Sequence, residues 1–260
     1  YIFKEKFSNQ EIMKNVYSKD SSIVKYGKIN LDVDYENKII KIDKMSQNGR
    51  IVFNGGQMKN WSIIFNNKLE QNKENKIDEN GFTGCVSLID VEVINSSFEL
   101  SNSDCEDSLN FIRSYGSIKS LTINNSLYDA MDADFSSLKF ENINIKNARN
   151  DCLDFSYGNY NLNIVKVDQC GDKGISVGES SEVEIQNLFV KKSKVGVASK
   201  DYSKVNITKG NANIVDYCLA VYKKKQEFSG GYISSNEFNC SNFSKKKIID
   251  DQSILEVNFL

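Results

Sequence analysis

The sequence contains no histidine and no proline, and only three of its residues are arginine. Without histidine, a Ser/His/Asp triad, a histidine general base and a histidine-ligated zinc site are excluded. Without proline, slow X-Pro isomerisation cannot limit folding. The scarcity of arginine leaves few side chains for the bidentate binding of carboxylates.

Long apolar runs and a strong net charge are also lacking. No segment reaches the about 20 apolar residues of a transmembrane helix. A net charge of −2 gives no overall attraction to nucleic acid or anionic lipid. We therefore predict no membrane span and no nucleic-acid partner. Because the sequence opens at Tyr1, we interpret it as a mature form or an excised domain. We expect a neighbouring domain in a longer chain, and we expect the protein to be a monomer.

The sequence does contain a repeat: within the stretch from Cys105 to Tyr222, similar residues recur every 22 positions. Two apolar columns keep this step with a largely polar column between them, which is the pattern of a strand with one buried face. The first apolar column is Leu109, Met131, Leu153, Ile175, Val197 and Leu219. The second is Phe111, Ala133, Phe155 and Val177. The polar column is Asn110, Asp132, Asp154 and Ser176.

Further apolar residues at the same step show that each repeat carries at least two strands. They are Leu121, Ile143 and Val165, with Ile123, Ile145 and Val167. Such repeats are typical of a solenoid, whose units bury their apolar sides against their neighbours. A leucine-rich repeat would need a leucine and asparagine consensus that is missing, and an antiparallel sandwich has no reason to keep columns in step. We predict an all-β, right-handed parallel β-helix with about 22 residues per coil.

Three parts of the chain are distinguished by their composition. Residues 1–27 are predicted to form an N-terminal cap or linker. Residues 28–243 are predicted to form the β-helix, with a polar loop inserted at 66–82. Residues 244–260 end in apolar side chains and are predicted to cap the open C-terminal end.

Two local patterns add to this division. In the N-terminal part, Ile12, Val16 and Tyr17 are spaced to line a short helix. Near the other end, the three lysines at 223–225 are predicted to form a solvated turn.

The six cysteines predict no zinc ribbon, since no CxxC pair occurs. Cys152 and Cys218 share a column but lie three coils apart, roughly 14 Å by strand spacing and too far for a disulfide. Cys218 and Cys240 are one step apart and close enough to bond. We expect mainly free thiols that pack in the core as small apolar side chains.

Outward side chains on successive coils stack about 4.8 Å apart, so columns become ladders. Six aspartates fall into adjacent ladders, which we call the acidic strip. They are Asp107, Asp129 and Asp151 in the first ladder, Asp132 and Asp154 in the second, and Asp134 two residues beyond Asp132. The first ladder ends near Asp172 and Lys173, and Lys200 shares the column of Asp134.

Like charges on neighbouring strands repel one another, so the acidic strip requires an explanation. Three explanations remain open. A Ca²⁺ ion could be bound by Asp129, Asp132, Asp151 and Asp154, because hard cations take oxygen ligands. Two carboxyl groups could act as acid and base on a sugar. Each aspartate could instead cap a turn through its own side chain.

Four segments in successive coils resemble the motifs of polygalacturonases, which are right-handed parallel β-helix glycosidases. The segments YDAMD, NDCLDF, DKGISVG and GVASK stand where those enzymes carry NTD, DDC, GHG and RIK. The resemblance implies that Asp129 and Asp151 take the places of two family aspartates. It also implies that Lys173 replaces the histidine and that Lys200 matches the substrate-binding lysine.

Two positions depart from the polygalacturonase pattern. Asn150 stands where the family has its general acid, and an amide cannot donate a proton in that way. Ala198 stands where the family has its arginine, so half of the carboxylate-binding pair is missing. These departures favour the alternative of a non-catalytic module for glycan binding, adhesion or spacing on a cell surface.

A second resemblance covers Cys105 to Asp201. The segments CEDSLNFIRS, DAMDADFS, NDCLDFS, GDKGISVGE and ASKD resemble uncharacterised β-helix domains of bacterial surface proteins, some of them joined to a spore-coat-H-like kinase domain. This resemblance implies the same fold and an extracellular or cell-surface location at the bacterial envelope. It implies no reaction.

We therefore expect a carbohydrate-active domain that acts on or binds a surface polysaccharide. As a hydrolase it would use Asp132 or Asp154 as the acid, and Asp129 or Asp151 would orient water. The other residues expected to contact the glycan are Asp107, Asn110, Asp134, Asn150, Tyr157, Asp172 and Glu179.

A lyase or epimerase is the other catalytic expectation. The aspartates would then hold Ca²⁺ against a uronate, and a lysine would be the base. Lys200 is the better candidate, because the acids around Lys173 are expected to raise the pKa of that lysine.

Overall fold

The computed structural model describes residues 10–69, 77 and 80–260. Within these residues every regular element is a β-strand. The strands stack as a β-solenoid of about 10 turns with about 22 residues per turn. The predicted all-β parallel β-helix is confirmed.

The solenoid contains strands of two kinds, short strands that form one side of a coil and long strands that continue around a corner. In chain order they are β1 (Gln10–Lys14), β2 (Ser22–Tyr26), β3 (Ile29–Asp34), β4 (Ile39–Lys44), β5 (Arg50–Asn54), β6 (Gln57–Lys59), β7 (Ser62–Asn67), β8 (Gly84–Ile89), β9 (Glu92–Ser103), β10 (Asp107–Ile112), β11 (Tyr115–Ser126), β12 (Asp129–Asp134), β13 (Ser137–Ala148), β14 (Leu153–Ser156), β15 (Asn159–Gly178), β16 (Glu182–Lys200), β17 (Lys204–Tyr222), β18 (Tyr232–Ile249) and β19 (Ile254–Phe259).

The register between coils reproduces the columns read from the sequence. Leu109 pairs with Met131, Met131 with Leu153, and the column continues through Ile175 and Val197. All of these side chains are buried in one continuous core. The interior is therefore a set of apolar ladders, each of which fills the space under the next coil.

The N-terminal end is built differently from the rest. Strands β1 and β2 pair antiparallel, as do β2 with β5 and β3 with β4, and parallel pairing begins with β4 and β7. The expected short helix is wrong, because Ile12 lies in β1 with 57% of its surface exposed. Val16 and Tyr17 follow in the turn and are buried against the core.

At the C-terminal end the stack continues as strands. The segment predicted as a cap lengthens β18 and then forms β19, which pairs parallel with the first half of β18. The Phe259 ring packs 5.9 Å from the Phe238 ring, between centroids. This last strand covers the core under residues 232–238.

Corners between the sides of the coil use residues with a positive φ angle. At one corner these are Asn102, Asn125 and Asn147, with φ of 60°, 61° and 65°. Asparagine tolerates this left-handed conformation better than most residues. The amide of Asn147 donates to Asn125 at 2.8 Å, and that of Asn125 to Asn102 at 3.1 Å, so the corner is joined from coil to coil.

All six cysteines are paired, which makes the expectation of free thiols wrong. The disulfides are Cys85–Cys105, Cys152–Cys170 and Cys218–Cys240. The first lies beside a buried ion pair between Lys44 and Asp104. The expected proximity of Cys218 and Cys240 is confirmed. The comparison of cysteines along one column missed the Cys152–Cys170 bridge because it runs diagonally: the register sets Ala148, not Cys152, beside Cys170.

The pairing predicts that no thiol reacts with a thiol reagent in denaturant without reductant, and that six react after reduction. Replacement of both Cys152 and Cys170 by alanine removes a cross-link across 18 residues. We expect a loss of about 3 kcal/mol in the free energy of unfolding, because the unfolded chain gains freedom. Urea denaturation measures this loss. Thiols that react before reduction would contradict the pairing.

Candidate functional site

One face of the solenoid carries the acidic strip. Strands β8, β10, β12 and β14 form this face, and the last residues of β15 and β16 continue it. Asn110, Asp132, Asp154 and Ser176 lie side by side on consecutive coils. The structure thus brings the predicted ladder together. Its aspartates are half-buried rather than fully exposed, and Asn110 is only 3% exposed.

The first ladder of the acidic strip holds the backbone of the following coil. The Oδ1 atom of Asp129 accepts hydrogen bonds from the backbone N–H of Asp151 and from the Asn150 amide, both at 2.7 Å. Likewise, Oδ1 of Asp151 accepts from the backbone N–H of Lys173 at 2.9 Å. Asp129 and Asp151 therefore stabilise turns, and Asn150 contacts one of these carboxylates.

In the part of the chain that the structure describes, lysines contact the strip only at its C-terminal end. The Lys173 ammonium contacts Asp151 at 3.4 Å and also pairs with Asp172. Lys200 is only 4% exposed, and its Nζ atom donates to the Ser176 hydroxyl at 2.9 Å. The Lys200 side chain reaches Ser176 across Gly178, where a Cβ atom would lie 2.8 Å from Lys200 Cε.

Glu179 lies at the corner beside this end of the strip. Its carboxylate pairs with the Lys225 ammonium at 2.6 Å and accepts from the Ser156 hydroxyl at 2.6 Å. Burial raises the pKa of Glu179, but these two hydrogen bonds outweigh it and leave the pKa below its ordinary value. Glu179 is therefore a fixed anion, and its partner Lys225 was not among the predicted site residues.

Burial raises the pKa of the strip aspartates, and the neighbouring acids raise it further. The pKa of Asp107 rises to about 7, with Glu106 and Asp134 adding to the effect of burial. That of Asp129 rises to about 8, where Asp151 is the second cause. That of Asp154 rises to about 6, since Lys200 offsets part of the effect of burial.

The remaining three strip aspartates are shifted in the same direction. Burial, then Asp107 and Asp134, raises the pKa of Asp132 well above its ordinary value. Burial also raises the pKa of Asp134 and Asp151, although Lys173 counters it at Asp151. Raised pKa values of this kind cluster in functional sites, because active sites often require a carboxyl group that keeps its proton near neutral pH.

Two buried acceptor atoms in the second ladder have no hydrogen-bond partner among the described residues. They are Oδ1 of Asp154 and Oδ1 of Asn110. The Asn110 amide nitrogen donates to Thr83 at 3.0 Å and to Asp107 at 3.4 Å, so only its oxygen is left over. Buried acceptors without partners are rare in native proteins and call for a donor.

An aromatic rim borders the strip along the next corner. It consists of Phe135, Tyr157, Tyr202 and Phe228. The Phe135 and Tyr157 rings stack with their centroids 4.7 Å apart and their planes 3° from parallel. Phe228 lies 6.4 Å from Tyr157 and 6.2 Å from Tyr202. Phe135, Tyr157 and Tyr202 are 58%, 41% and 58% exposed, which is unusual for stacked aromatic rings.

Three of the four rim residues occupy strained backbone positions. Phe135, Tyr157 and Tyr202 have φ of 52°, 50° and 64°. This conformation costs a residue other than glycine about 1–2 kcal/mol, and bulky residues rarely adopt it. Asp90 and Arg113 hold the same corner in earlier coils, so the corner itself does not require an aromatic side chain.

Phe228 reaches the rim from a loop between β17 and β18, where the step between paired residues lengthens to 28. The carboxylate of Asp201 accepts the backbone N–H groups of Lys224 and Lys225 at 2.7 and 2.8 Å. The expectation that the three lysines form only a solvated turn is therefore wrong, because Lys225 reaches Glu179.

The predicted tyrosine contact Tyr157 lies in the rim. A second tyrosine, Tyr160, points into the core instead, where its hydroxyl donates to the Ala133 carbonyl at 2.8 Å. Phe135 was missed, although its step of 22 residues to Tyr157 was visible in the sequence. Phe228 had no such signal, since its loop lies outside the regular spacing.

The four aspartates proposed to bind Ca²⁺ do not converge in this structure. Among the described residues, three acidic or sulfur ligand atoms lie within 4.8 Å of one another only at Cys85, Asp104 and Cys105. Two of these are the sulfurs of a disulfide. Calcium binding by the strip stays a prediction.

Comparisons with known proteins add no assignment. No protein family, curated protein or solved structure matches this chain. The polygalacturonase and surface-protein resemblances therefore stay expectations. Separately, the part of the chain that the structure describes contains no helix with the length and apolar character to cross a membrane.

The acidic strip predicts a pH-dependent gain in stability on replacement of Asp154 by asparagine. The unfolded carboxyl group ionises near pH 3.9, whereas the folded one keeps its proton to about pH 6. Stability of the wild type is therefore lost as the pH rises between these values. The Asp154→Asn variant avoids this loss.

We expect no gain near pH 4 and a gain of at most about 3 kcal/mol at pH 7, at about 1.36 kcal/mol per pKa unit. Urea denaturation at both pH values measures it. Glu99→Gln, which neutralises an exposed carboxylate of β9, is the control and should change little at either pH. A variant that is less stable than the wild type at pH 7 would refute the assignment.

Proposed function

We propose that the acidic strip and the aromatic rim together bind a polysaccharide chain. The observation that carries this proposal is the pairing of unpartnered acceptors in the strip with an exposed, strained aromatic stack beside it. Sugars offer hydroxyl donors on their edges and C–H groups on their faces, and such ligands suit sites that combine polar groups with aromatic rings.

The disulfides support an extracellular or cell-surface setting for this binding. Disulfide bonds persist in oxidising environments and are rare in the cytosol. All three pairs in this chain are closed. A polysaccharide of an envelope or of the surroundings of a cell is then an accessible ligand.

Within this proposal, Asp132 and Asp154 are the pair suited to hydrolysis. They occupy adjacent coils in register, and neighbouring rungs bring carboxyl groups to about 5 Å, the separation of a retaining glycosidase. Burial and like charges keep the proton on Asp132, while Lys200 favours ionised Asp154. Asp132 would protonate the leaving oxygen, and Asp154 would attack the anomeric carbon.

The geometry disfavours two of the other catalytic expectations. Asp129 and Asp151 already accept backbone hydrogen bonds, which leaves them poorly placed to orient water. As a lyase base, Lys173 is unsuitable: burial lowers its pKa, but Asp151 and Asp172 outweigh burial and hold the pKa above its ordinary value.

A non-catalytic glycan-binding module is the second candidate. It is favoured by the engagement of the first ladder and of the lysines in internal contacts. A glycan array followed by reducing-end measurement on the bound glycan separates the two. Formation of new reducing ends that is abolished by Asp132→Asn indicates hydrolysis. Binding without new reducing ends indicates the non-catalytic module. A protein that binds no glycan would refute the proposal.

The strained aromatic rim predicts that replacing one of its residues weakens glycan binding without lowering stability. In Tyr157→Asn, asparagine tolerates the positive φ angle, so the free energy of unfolding should stay equal or rise by about 1 kcal/mol. Glycan affinity should fall at least about tenfold, because a stacking ring contributes on the order of 1 kcal/mol or more.

Urea denaturation and titration calorimetry on the same preparation test this expectation. Tyr115→Asn is the control, because Tyr115 is exposed and begins β11, outside the rim. A Tyr157→Asn protein that binds as tightly as the wild type would show that the rim has no part in recognition.

A further inference from the structure

We propose that the glycan bound by this protein carries free amino groups, and that the N-terminal half of the acidic strip recognises them as ammonium ions. This inference rests on the proposed function and specifies its ligand. It departs from the uronate that the polygalacturonase resemblance implies.

Charge along the strip is unevenly compensated. Lys173 and Lys225 pair with acids at the C-terminal end, and Lys200 bonds Ser176 there. By contrast, Asp107, Asp129, Asp132 and Asp134 have no lysine or arginine nitrogen within 4.0 Å among the described residues. Among the described residues, no cation therefore pairs with the acids of the N-terminal half, whereas lysines pair with acids at the C-terminal end.

The unpartnered atoms of the second ladder are acceptors. Asn110 is 3% exposed and its amide nitrogen is held by Thr83 and Asp107, so its oxygen can only accept. Asp154, two coils further on, has a buried Oδ1 without a partner. Between them lies Asp132, which bears a carboxyl group of the same ladder.

An ammonium group matches both features of this surface, the acids without a paired cation and the acceptors without a donor. It supplies three donors and no acceptor, and its positive charge lowers the raised pKa of Asp107, Asp129 and Asp132, so that their carboxyl groups release their protons when it binds. A uronate would bring acceptors and a negative charge to the same place, which like-charge repulsion disfavours. A neutral sugar would supply donors but no positive charge to replace the protons that these carboxyl groups retain near neutral pH.

The aromatic rim makes a glycan a better match than a bare cation. It runs beside the strip over the coils of Phe135 and Tyr157, next to Asp134. A chain lying along the solenoid axis would reach the aspartates with its amino groups while its rings contact the aromatic side chains. Aromatic rings also attract ammonium groups directly.

Three oligosaccharides of equal length test the inference: β-1,4-linked glucosamine hexaose, its fully N-acetylated form and galacturonate hexaose. The first two share the linkage and differ in the free amine. By titration calorimetry at pH 6.5, we expect the glucosamine hexaose to bind at least tenfold more tightly than the N-acetylated form. Galacturonate should not bind, and added salt should weaken the glucosamine complex.

Two variants with the same change in net charge locate the effect. Asp132→Asn/Asp134→Asn should remove the preference for the amine. Glu99→Gln/Glu141→Gln, on exposed positions of β9 and β13, should retain it. Hexalysine serves as a cation without sugar rings and should bind at least tenfold more weakly than the glucosamine hexaose.

Equal affinity for the amine and the N-acetylated form, or preference for galacturonate, would overturn the inference and leave glycan binding standing. Hexalysine binding as tight as that of the glucosamine hexaose would also overturn it, since the strip would then be a general cation surface. The absence of binding to these and to all arrayed glycans would remove the proposed function as well.

Discussion

Backbone hydrogen bonding between parallel coils in a nearly constant register is the interaction on which this structure depends. Each coil bonds to the coil before and the coil after it, so residues about one repeat apart become neighbours about 4.8 Å apart. Inside, this arrangement produces apolar ladders such as that of Leu109, Met131 and Leu153. Outside, it forces Asn110, Asp132 and Asp154 into one line, because the backbone leaves them no means of moving apart.

The protein relieves the resulting repulsion differently along the acidic strip. The carboxylates of Asp129 and Asp151 accept hydrogen bonds from backbone N–H groups in the turns of the next coil. These N–H groups would otherwise have to bond to water. Near the C-terminal end, Lys173 and Lys225 supply positive charge. Asp132 has neither kind of partner among the residues that the structure describes, and burial among like charges raises its pKa. A surface selected for stability alone would not retain such a group.

The corner beside the strip shows the same departure from what the fold requires. Any residue that tolerates a positive φ angle could hold this position, and earlier coils use Asp90 and Arg113. Phe135 and Tyr157 adopt it despite their bulk and remain exposed. The loop that carries Phe228 then folds back onto Tyr157, held by hydrogen bonds from its backbone to Asp201. Strain and exposure thus coincide next to the uncompensated acids.

Sequence alone determined the coil length, the inward and outward positions and the presence of the acidic strip. It did so because side chains alternate between the two faces of a strand, and because a repeat of 22 residues converts separation along the chain into neighbourhood in space. Only the tertiary structure decided that the cysteines are paired rather than free, including the diagonal Cys152–Cys170 bridge, and the place of Phe228, which lies in an irregular loop. It also decided which carboxylates have hydrogen-bond partners, because nothing in the sequence distinguishes Asp129 from Asp132 in this respect. A ladder position is set by the backbone, whereas the partner of its side chain depends on side-chain torsions and on residues far away in the chain.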